Sequence, residues 1–157
     1  MVSLLLSVLV ITCSSYIGWG IQNYYKNRIV FYENVDNFLH YLSNNINFYK
    51  DSINAILKEY IETSSDSKHL KNIISSYLKG NMDCDAVIIK KEEKQLVKNI
   101  FSHLGKSDSE NQIAGFANFS TQVQLLAKKC RQDYEKEGKI ATKLGVLFGL
   151  ALAICLL

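Results

Sequence analysis

The side chains that could support acid–base or metal chemistry are scattered along this chain of 157 residues. His40, His69 and His103 lie on three different predicted helices, and none belongs to an HExxH pair or a similar ligand pair. A metal ion or a general base requires partner groups within a few ångströms. We therefore expect no catalytic residue and no metal site, and we expect these histidines at the surface or at its boundary.

Sequence motifs for nucleotides and for activated nucleophiles do not occur in the chain. It has no GxxxxGK[ST] or GxGxxG loop that would cradle phosphates, and no GxSxG turn that would expose a serine. We expect no cofactor, no small-molecule substrate and no enzymatic activity. Cys13 and Cys155 fall inside apolar runs, while Cys84 and Cys130 lack a CxxC or Cys/His neighbour, so neither a disulfide framework nor a metal site is predicted.

Two uncharged apolar runs close the chain at its ends. Residues 1–21 carry no charged side chain, and at about 1.5 Å per helical residue they can cross a hydrocarbon core of roughly 30 Å. Residues 144–157 are also uncharged, and this run reaches a usable length when it extends back to Ile140 with Lys143 snorkelling. We predict transmembrane helices at residues 1–22 and 140–157, with one domain at residues 23–139.

Charge distribution indicates which side of the membrane holds that domain. Basic residues flank both runs on the domain side only, at Lys26, Arg28, Lys136, Lys139 and Lys143. By the positive-inside rule the domain is predicted to be cytoplasmic. The net charge of +3 is too small and too dispersed for a nucleic-acid partner. A cleaved signal peptide is the alternative for the first run, but that run lacks a basic leader and a small-residue cleavage site.

Apolar residues between the two runs recur every three or four positions, which predicts helices throughout. One stripe begins at Phe31 and continues the first span as a single long helix, and another runs through residues 113–134 into the second span. Shorter helices are predicted around residues 53–60, 70–78 and 96–104. Gly80 and Gly105 are expected to end two of them, because glycine tolerates the positive φ of a helix terminus.

The predicted fold class is all-α, an antiparallel helical bundle whose N- and C-terminal helices extend into the transmembrane spans. Residues 86–89 could form a short strand by periodicity, but a helix or turn is more economical without partner strands. Residues 90–94 form a mixed-charge run that indicates a solvated helix start or, alternatively, a docking surface.

Small residues in the second apolar run could permit close helix packing. Gly145 and Gly149 form a small-xxx-small pattern, with the first span and its Gly18 and Gly20 as the candidate partner. The alternative is that these are ordinary glycines of a membrane helix.

One stretch between the fourth and fifth predicted helices is distinctive in its order of residues. It contains Leu104, Gly105, Ser107, Asp108 and Gln112 in IFSHLGKSDSENQ. This resembles the stage III sporulation protein AB family, in which a helix ends in Phe-Gly-x-x-Leu-Gly and a Ser-Asp pair and a Gln follow at these intervals. This chain keeps the Leu-Gly half of that helix end, with Ile100 and Phe101 in place of the Phe-Gly. The resemblance also covers the uncharged first run at the N-terminus. Toward the C-terminus it includes a Lys-Leu-Gly element, at Lys143 to Gly145, with a second glycine four residues later.

The resemblance implies a non-enzymatic component of the channel complex that links mother cell and forespore during endospore formation. It implies residence in the mother-cell-derived (outer forespore) membrane and a domain similar to the cytoplasmic domains of type II secretion and type IV pilus platform proteins. The implied partners are the stage III sporulation AA ATPase and other membrane components of the channel.

Two questions stay open at the level of sequence. Gly105 and Asp108 could be a helix terminator and a helix cap, or the motif could bind a partner, and the cap interpretation is favoured. A generic doubly anchored scaffold or regulator without ATPase contact is the alternative function. A small pore former fits less well, because the large charged middle must fold in water.

Overall fold

A computed structural model describes residues 2–48, 53–81, 88–106 and 108–156. Its helices are α1 (Val2–Phe48), α2 (Ile53–Thr63), α3 (Lys68–Leu78), α4 (Lys94–His103), α5 (Ser109–Asp133) and α6 (Lys139–Leu156). A π-helical segment, Tyr134–Gly138, joins α5 to α6 without a break. The described residues contain no strand, so the all-α prediction is confirmed.

Helix ends follow the local chemistry of the sequence. Gly80 and Gly105 have φ of +75° and +74°, as expected for residues that stop a helix in the left-handed region. The end of α2 is satisfied from outside, because the Lys71 ammonium donates to the carbonyl oxygens of Ile61 at 2.9 Å and Ser64 at 2.5 Å. A cation at a helix C-terminus also complements the negative end of the helix dipole.

The chain divides into two compact units. The terminal unit comprises Met1–Ile29 and Lys128–Leu157, and the central unit comprises Val30–Ala127. The predicted boundaries of the membrane spans, 1–22 and 140–157, and of the domain at 23–139 concern a lipid bilayer and stay predictions.

The core of the central unit is aromatic. Phe38 packs against Tyr60 and Phe101, with ring centroids 4.8 and 5.9 Å apart, and Tyr77 lies 5.4 Å from Phe101. Such offset and tilted ring pairs contribute beyond the area that they bury. The packing joins α1 to α2, α3 and α4, so the apolar stripe predicted on α1 is the face that assembles this unit.

In the terminal unit, the first part of α1 runs antiparallel to α6. Gly149 faces Ile11, and Gly145 faces Ser14 and Gly18 further along α1. Large side chains on the outside of this pair are exposed, including Ile154 at 74% and Phe148 at 64%. Exposed apolar surface of this extent is unfavourable in water and favourable in lipid.

One helical stretch is long and apolar enough to cross a membrane, among the residues whose side chains the structure describes. It is Ser109–Cys155, and 17% of its most apolar window is buried. The first apolar run includes residues 1–5, whose side chains lie outside that description, and a crossing by α1 stays a prediction.

Two expectations for the middle of the chain have different outcomes. Ile88 and Ile89 lie in a turn and are 5% exposed, which agrees with the turn interpretation, whereas residues 82–87 lie outside the described residues. At residues 90–94, where a solvated helix start is expected, residues 90–92 are exposed just before α4, and Glu93 is the exception. Its side chain is 7% exposed and accepts a hydrogen bond from the Tyr32 hydroxyl at 2.6 Å.

Candidate functional site

The turn between α4 and α5 contains the residues that sequence analysis singled out. Leu104 ends α4 in an extended conformation, with φ −62° and ψ 124°, and its side chain is 5% exposed. Gly105 follows in the left-handed region, where a side chain would be strained. Leu104 therefore anchors the turn to the core while Gly105 reverses the chain direction.

Asp108 begins the next helix. Its side-chain Oδ1 accepts from the Asn111 amide at 3.4 Å, and its backbone carbonyl accepts from the Gln112 amide at 3.0 Å. This is the arrangement of an N-cap residue, whose oxygen satisfies an amide that the helix leaves unpaired. The Gln112 side chain is 4% exposed, so it belongs to the interior rather than to an open surface. Ser107 lies outside the described residues.

Two roles are therefore distinguishable within this turn. Gly105 and Asp108 perform the local tasks of ending and starting a helix, and both are exposed. An exposed cap carboxylate can also be reached by another protein. The geometry accounts for the residue types by capping, and it leaves the Asp108 carboxylate accessible to a partner.

The glycines of α6 lie at a close helix–helix contact in the terminal unit. A Cβ atom added at Gly145 would come within 2.8 Å of the Ser14 carbonyl oxygen, and one added at Gly149 within 3.0 Å of the Ile11 Cα. The Ser14 hydroxyl donates to the Gly145 carbonyl at 2.5 Å across the same contact. Glycine at these positions allows the two backbones to approach, as in small-xxx-small packing.

On α1, one of the two glycines suggested as partners takes part in this contact and the other does not. A Cβ atom at Gly18 would lie 2.7 Å from the Ala141 carbonyl oxygen, so Gly18 is part of the contact. A Cβ atom at Gly20 would meet nothing within 4 Å. The suggestion that Gly20 also contributes is wrong, because Gly20 lies on the exposed side of α1.

A layer of polar side chains follows the glycine contact along the same helix pair. The Thr142 hydroxyl donates to the Gln22 side-chain oxygen at 2.7 Å, and the Gln22 amide donates to the Tyr134 hydroxyl at 3.1 Å. Next along α1, the Tyr25 hydroxyl donates to the Glu137 carboxylate. Such side chains satisfy one another and thereby specify the register of the two helices.

An ion pair lies beyond this polar layer. The Arg28 side chain is 1% exposed, and its Nη1 lies 3.7 Å from Oδ2 of Asp133. A buried pair of this kind mainly constrains conformation, because the desolvation of both ions offsets their attraction. Asp133 is the last residue of α5, directly before the π-helical segment.

The π-helical segment itself is tightly packed at its end. Gly138 is buried, and a Cβ atom there would lie 2.8 Å from Cδ2 of Tyr134 and 3.3 Å from the Tyr25 Cβ. Short π-helical insertions within α-helices often occur at functional positions. The segment turns the side chains of Tyr134 and Glu137 toward α1, where they bond to Gln22 and Tyr25.

The central unit contains a second polar contact that sequence analysis missed. Both Ser120 and Gln124 of α5 donate to the Asp36 carboxylate of α1, the latter at 3.0 Å. His40 lies one turn along α1, with Nε2 3.8 Å from Asp36 Oδ1. In sequence Ser120 and Gln124 are 84 and 88 positions from Asp36, so only the helix pairing brings them to this carboxylate.

Two titratable groups of the central unit, Tyr60 and His103, pack against aromatic side chains. Burial, followed by the hydrogen bond to Asp66, raises the pKa of the Tyr60 hydroxyl above its usual range. His103 packs edge-on against Phe116 and Phe119, with centroids 6.3 and 5.7 Å away. Among the described residues, no three His, Cys, Asp or Glu side chains form a group that could hold a metal ion.

Some of these contacts had a signal in the sequence and others had none. Gln22, Tyr25 and Arg28 follow one another at three-residue intervals, which places them along one side of a helix. Their partners on the other helix could not be identified without the register. The π-helical segment had no signal beyond Gly138, because one additional residue per turn does not alter composition.

Comparison with known proteins adds evidence that geometry alone does not provide. The family model for stage III sporulation protein AB matches residues 82–157, which include the α4–α5 turn and all of α6. No curated protein and no solved structure matches the chain. Residues 82–157, just under half of the chain, therefore match the stage III sporulation protein AB family.

Proposed function

We propose that the chain is a non-enzymatic membrane component of the sporulation channel, where it acts as a platform for a secretion-type ATPase. The observation that carries the proposal is the family match over residues 82–157. The proposed location is the outer forespore membrane, with both ends of the chain crossing the lipid and the central unit on the cytoplasmic side. The proposed partners are the stage III sporulation AA ATPase and other membrane components of the channel.

The helix arrangement supports a coupling role. Residues 109–156 are helical throughout, from the capped turn at Asp108 to the exposed apolar end of α6. A continuous helix transmits displacement along its length better than a jointed connection, because its backbone hydrogen bonds resist bending. In the proposed mechanism, the ATPase displaces the cytoplasmic end of this helical run and the displacement reaches the membrane.

The capped turn is an accessible feature of the central unit, and the Asp108 variants below test whether it takes part in ATPase recognition. It is exposed at Gly105 and Asp108, and it is held to the core by Leu104. A rigid, exposed turn suits recognition, because little conformational entropy is lost on binding. The alternative function, a scaffold or regulator without ATPase contact, requires the same turn for folding alone.

Capture of purified ATPase by the full-length chain in detergent micelles tests the proposal. Asp108→Ala removes the cap, and Asp108→Asn retains a capping oxygen but removes the charge. We expect the wild-type chain to capture the ATPase stoichiometrically. Absence of capture by a wild-type chain with intact helicity would contradict the platform role and favour the scaffold.

The two Asp108 variants separate capping from recognition. A cap role predicts that Asp108→Ala lowers the free energy of unfolding by about 1 kcal/mol and that its folded fraction still captures the ATPase. A recognition role predicts that Asp108→Asn loses capture at unchanged stability. We expect the first result, because the geometry of Asp108 is that of a cap.

A further inference from the structure

An apolar groove runs along one side of the α1–α6 pair in the terminal unit. Its volume is about 960 Å³, and the large side chains that border it are exposed, among them Ile17 at 64%, Leu144 at 58% and Phe148 at 64%. Among the described residues that line the groove, Ser14 carries the one hydroxyl, which already donates to the Gly145 carbonyl. The lining therefore offers apolar contact and no free hydroxyl, amide or charged side chain.

The length of the groove corresponds to one leaflet of a bilayer. On α1 its lining begins at Leu9 and ends at Ile21, and on α6 it begins at Ala141 and ends at Leu152. At 1.5 Å per residue these stretches are about 18 and about 17 Å long, close to half of a hydrocarbon core of roughly 30 Å. The acyl chains of one leaflet fill that half, so a single phospholipid chain matches the groove from end to end.

Aromatic side chains mark the headgroup depth at one end of the groove. The rings of Tyr16 and Trp19 pack together with centroids 5.9 Å apart, and these residues are 71% and 54% exposed. Exposed tyrosine and tryptophan are typical of the membrane–water interface. The Thr142 hydroxyl lies 3.3 Å from the Gly18 carbonyl oxygen, which places residue 142 of α6 level with this aromatic pair. In the proposed topology, this end of the groove faces the cytoplasm.

A cation without a protein partner lies at the same depth. Lys143 follows Thr142, its side chain is exposed, and no described residue forms an ion pair or a hydrogen bond with its ammonium group. Lys139, one turn earlier, is by contrast paired with Glu135 at 2.6 Å. Lys143 precedes the lining residue Leu147 by one turn, so both lie on the same side of α6. A lysine at this position can extend along the helix and place its charge among the lipid headgroups.

The residues that border the groove favour a lipid chain over a further helix. Helix–helix interfaces in membranes depend on small residues that let two backbones approach. Gly18 and Gly145 already serve the contact between α1 and α6, whereas the exposed Leu9, Ile17 and Phe148 border the groove. Bulky side chains hold another helix backbone at a distance, but a flexible acyl chain can pack between them.

We infer that this groove binds one acyl chain of an anionic phospholipid in the cytoplasmic leaflet, and that Lys143 binds the headgroup phosphate. The site deepens the proposed function, because it rests on the proposed membrane location of α1 and α6. We expect about a fivefold preference for an anionic over a zwitterionic phospholipid, the equivalent of roughly 1 kcal/mol for one basic side chain at a lipid surface.

Quenching of tryptophan emission by brominated lipids tests the inference. A full-length chain with Trp19→Phe and Phe148→Trp carries its one tryptophan in the groove, whereas the natural chain carries it at residue 19, outside the lining. Each chain is reconstituted in phosphatidylcholine vesicles that contain brominated phosphatidylglycerol or brominated phosphatidylcholine. We expect the tryptophan at residue 148 to report the fivefold preference for phosphatidylglycerol, and the tryptophan at residue 19 to report a smaller one.

Substitutions with matched controls assign the preference to Lys143 and to the groove. In the residue-148 reporter, Lys143→Gln should reduce the preference to near unity, while Lys143→Arg should keep it. Lys26→Gln removes the same charge from an exposed residue outside the lining and should also keep it. Cys13→Phe fills the groove and should abolish the preference, whereas Thr12→Phe adds the same ring at an exposed residue outside the lining and should not.

Three results would overturn the inference. Equal quenching by the two lipids at residue 148 would mean that bulk lipid covers the groove without selection. A preference that survives Lys143→Gln would mean that another group binds the headgroup. Protection of residue 148 from both brominated lipids would mean that a protein helix covers the groove.

Carbonate extraction of the same vesicles separates these results from a failure of the proposed membrane location. A chain that resists extraction but shows no lipid preference refutes the lipid site and leaves the membrane location standing. A chain that carbonate removes from the vesicles refutes both.

Discussion

The contact between α1 and α6 makes a quantitative prediction about two neighbouring glycines. Gly18→Ala would place a Cβ atom 2.7 Å from the Ala141 carbonyl oxygen and 3.0 Å from the Thr142 Cα, whereas Gly20→Ala would meet nothing within 4 Å. Both clashing atoms at Gly18 belong to the backbone, so no side-chain rotation relieves them. The two substitutions are chemically identical and two residues apart.

The expected destabilisation by Gly18→Ala follows from the distance by which the two helices must move apart. Ordinary contact begins at 3.4 Å, so α1 and α6 must move apart by about 0.7 Å at this point. A gap of that size forfeits roughly a quarter to a half of the dispersion energy of the neighbouring contacts, and overpacking typically costs about 1–3 kcal/mol. Replacing a helical glycine by alanine also stabilises the helix by up to about 1 kcal/mol, which offsets part of this cost.

We therefore expect Gly18→Ala to lower the free energy of unfolding by about 1–2 kcal/mol and Gly20→Ala to raise it by up to about 1 kcal/mol. Unfolding of the full-length chain from mild detergent by sodium dodecyl sulfate measures both. Trp19, the chain's one tryptophan, lies between the two positions and reports the transition by its emission. Equal stability of the two variants would refute the α1–α6 contact at Gly18.

Two further predictions concern the central unit, one at Gly115 and one at Tyr60. Gly115→Ala should lower the free energy of unfolding by about 1–3 kcal/mol, because the added Cβ would lie 2.3 Å from Nε2 of His103. In a His103→Ala background the same change should raise the free energy of unfolding by up to about 1 kcal/mol. Thermal unfolding of the wild type, the two single variants and the double variant measures the difference. The folded state raises the pKa of the Tyr60 hydroxyl above the unfolded value of about 10, so the folded protein keeps this proton at a pH where the unfolded chain loses it. The stabilisation from the protonated Tyr60 is therefore fully present below about pH 10, and the free energy of unfolding should fall by about 1.4 kcal/mol per pH unit above that pH. Tyr60→Phe should remove that part of the fall, which denaturant unfolding between pH 9 and 11 measures.

Periodicity and glycine positions predicted much of this fold. The stripe beginning at Phe31 correctly indicated one long helix continuous with the first apolar run, because a helix facing a core repeats at 3.6 residues. The breaks at Gly80 and Gly105 were also predicted, since their left-handed conformation depends on local sterics alone. These features are encoded within a few residues of where they occur.

Other features depend on contacts between distant segments. Tyr32 and Leu39 are buried although they lie beside the predicted stripe, because α1 packs against several helices and needs a wider apolar face. Burial of Glu93 depends on Tyr32, 61 residues earlier. The turn at Leu104 to Gln112 was found from the order of its residues, which lie within nine consecutive positions of the sequence.

Cysteine accessibility in membrane vesicles tests most directly that α1 crosses the membrane and that the central unit lies on the cytoplasmic side. In a variant with all four natural cysteines replaced by serine, a single cysteine is placed either at Ser65, in the exposed connection between α2 and α3, or in a hydrophilic tag ahead of residue 1. A membrane-impermeant thiol reagent should label position 65 only in inside-out vesicles and the tag only in right-side-out vesicles. Labelling of both positions from the same side would show that α1 does not cross the membrane, and labelling of position 65 in right-side-out vesicles would contradict a cytoplasmic central unit.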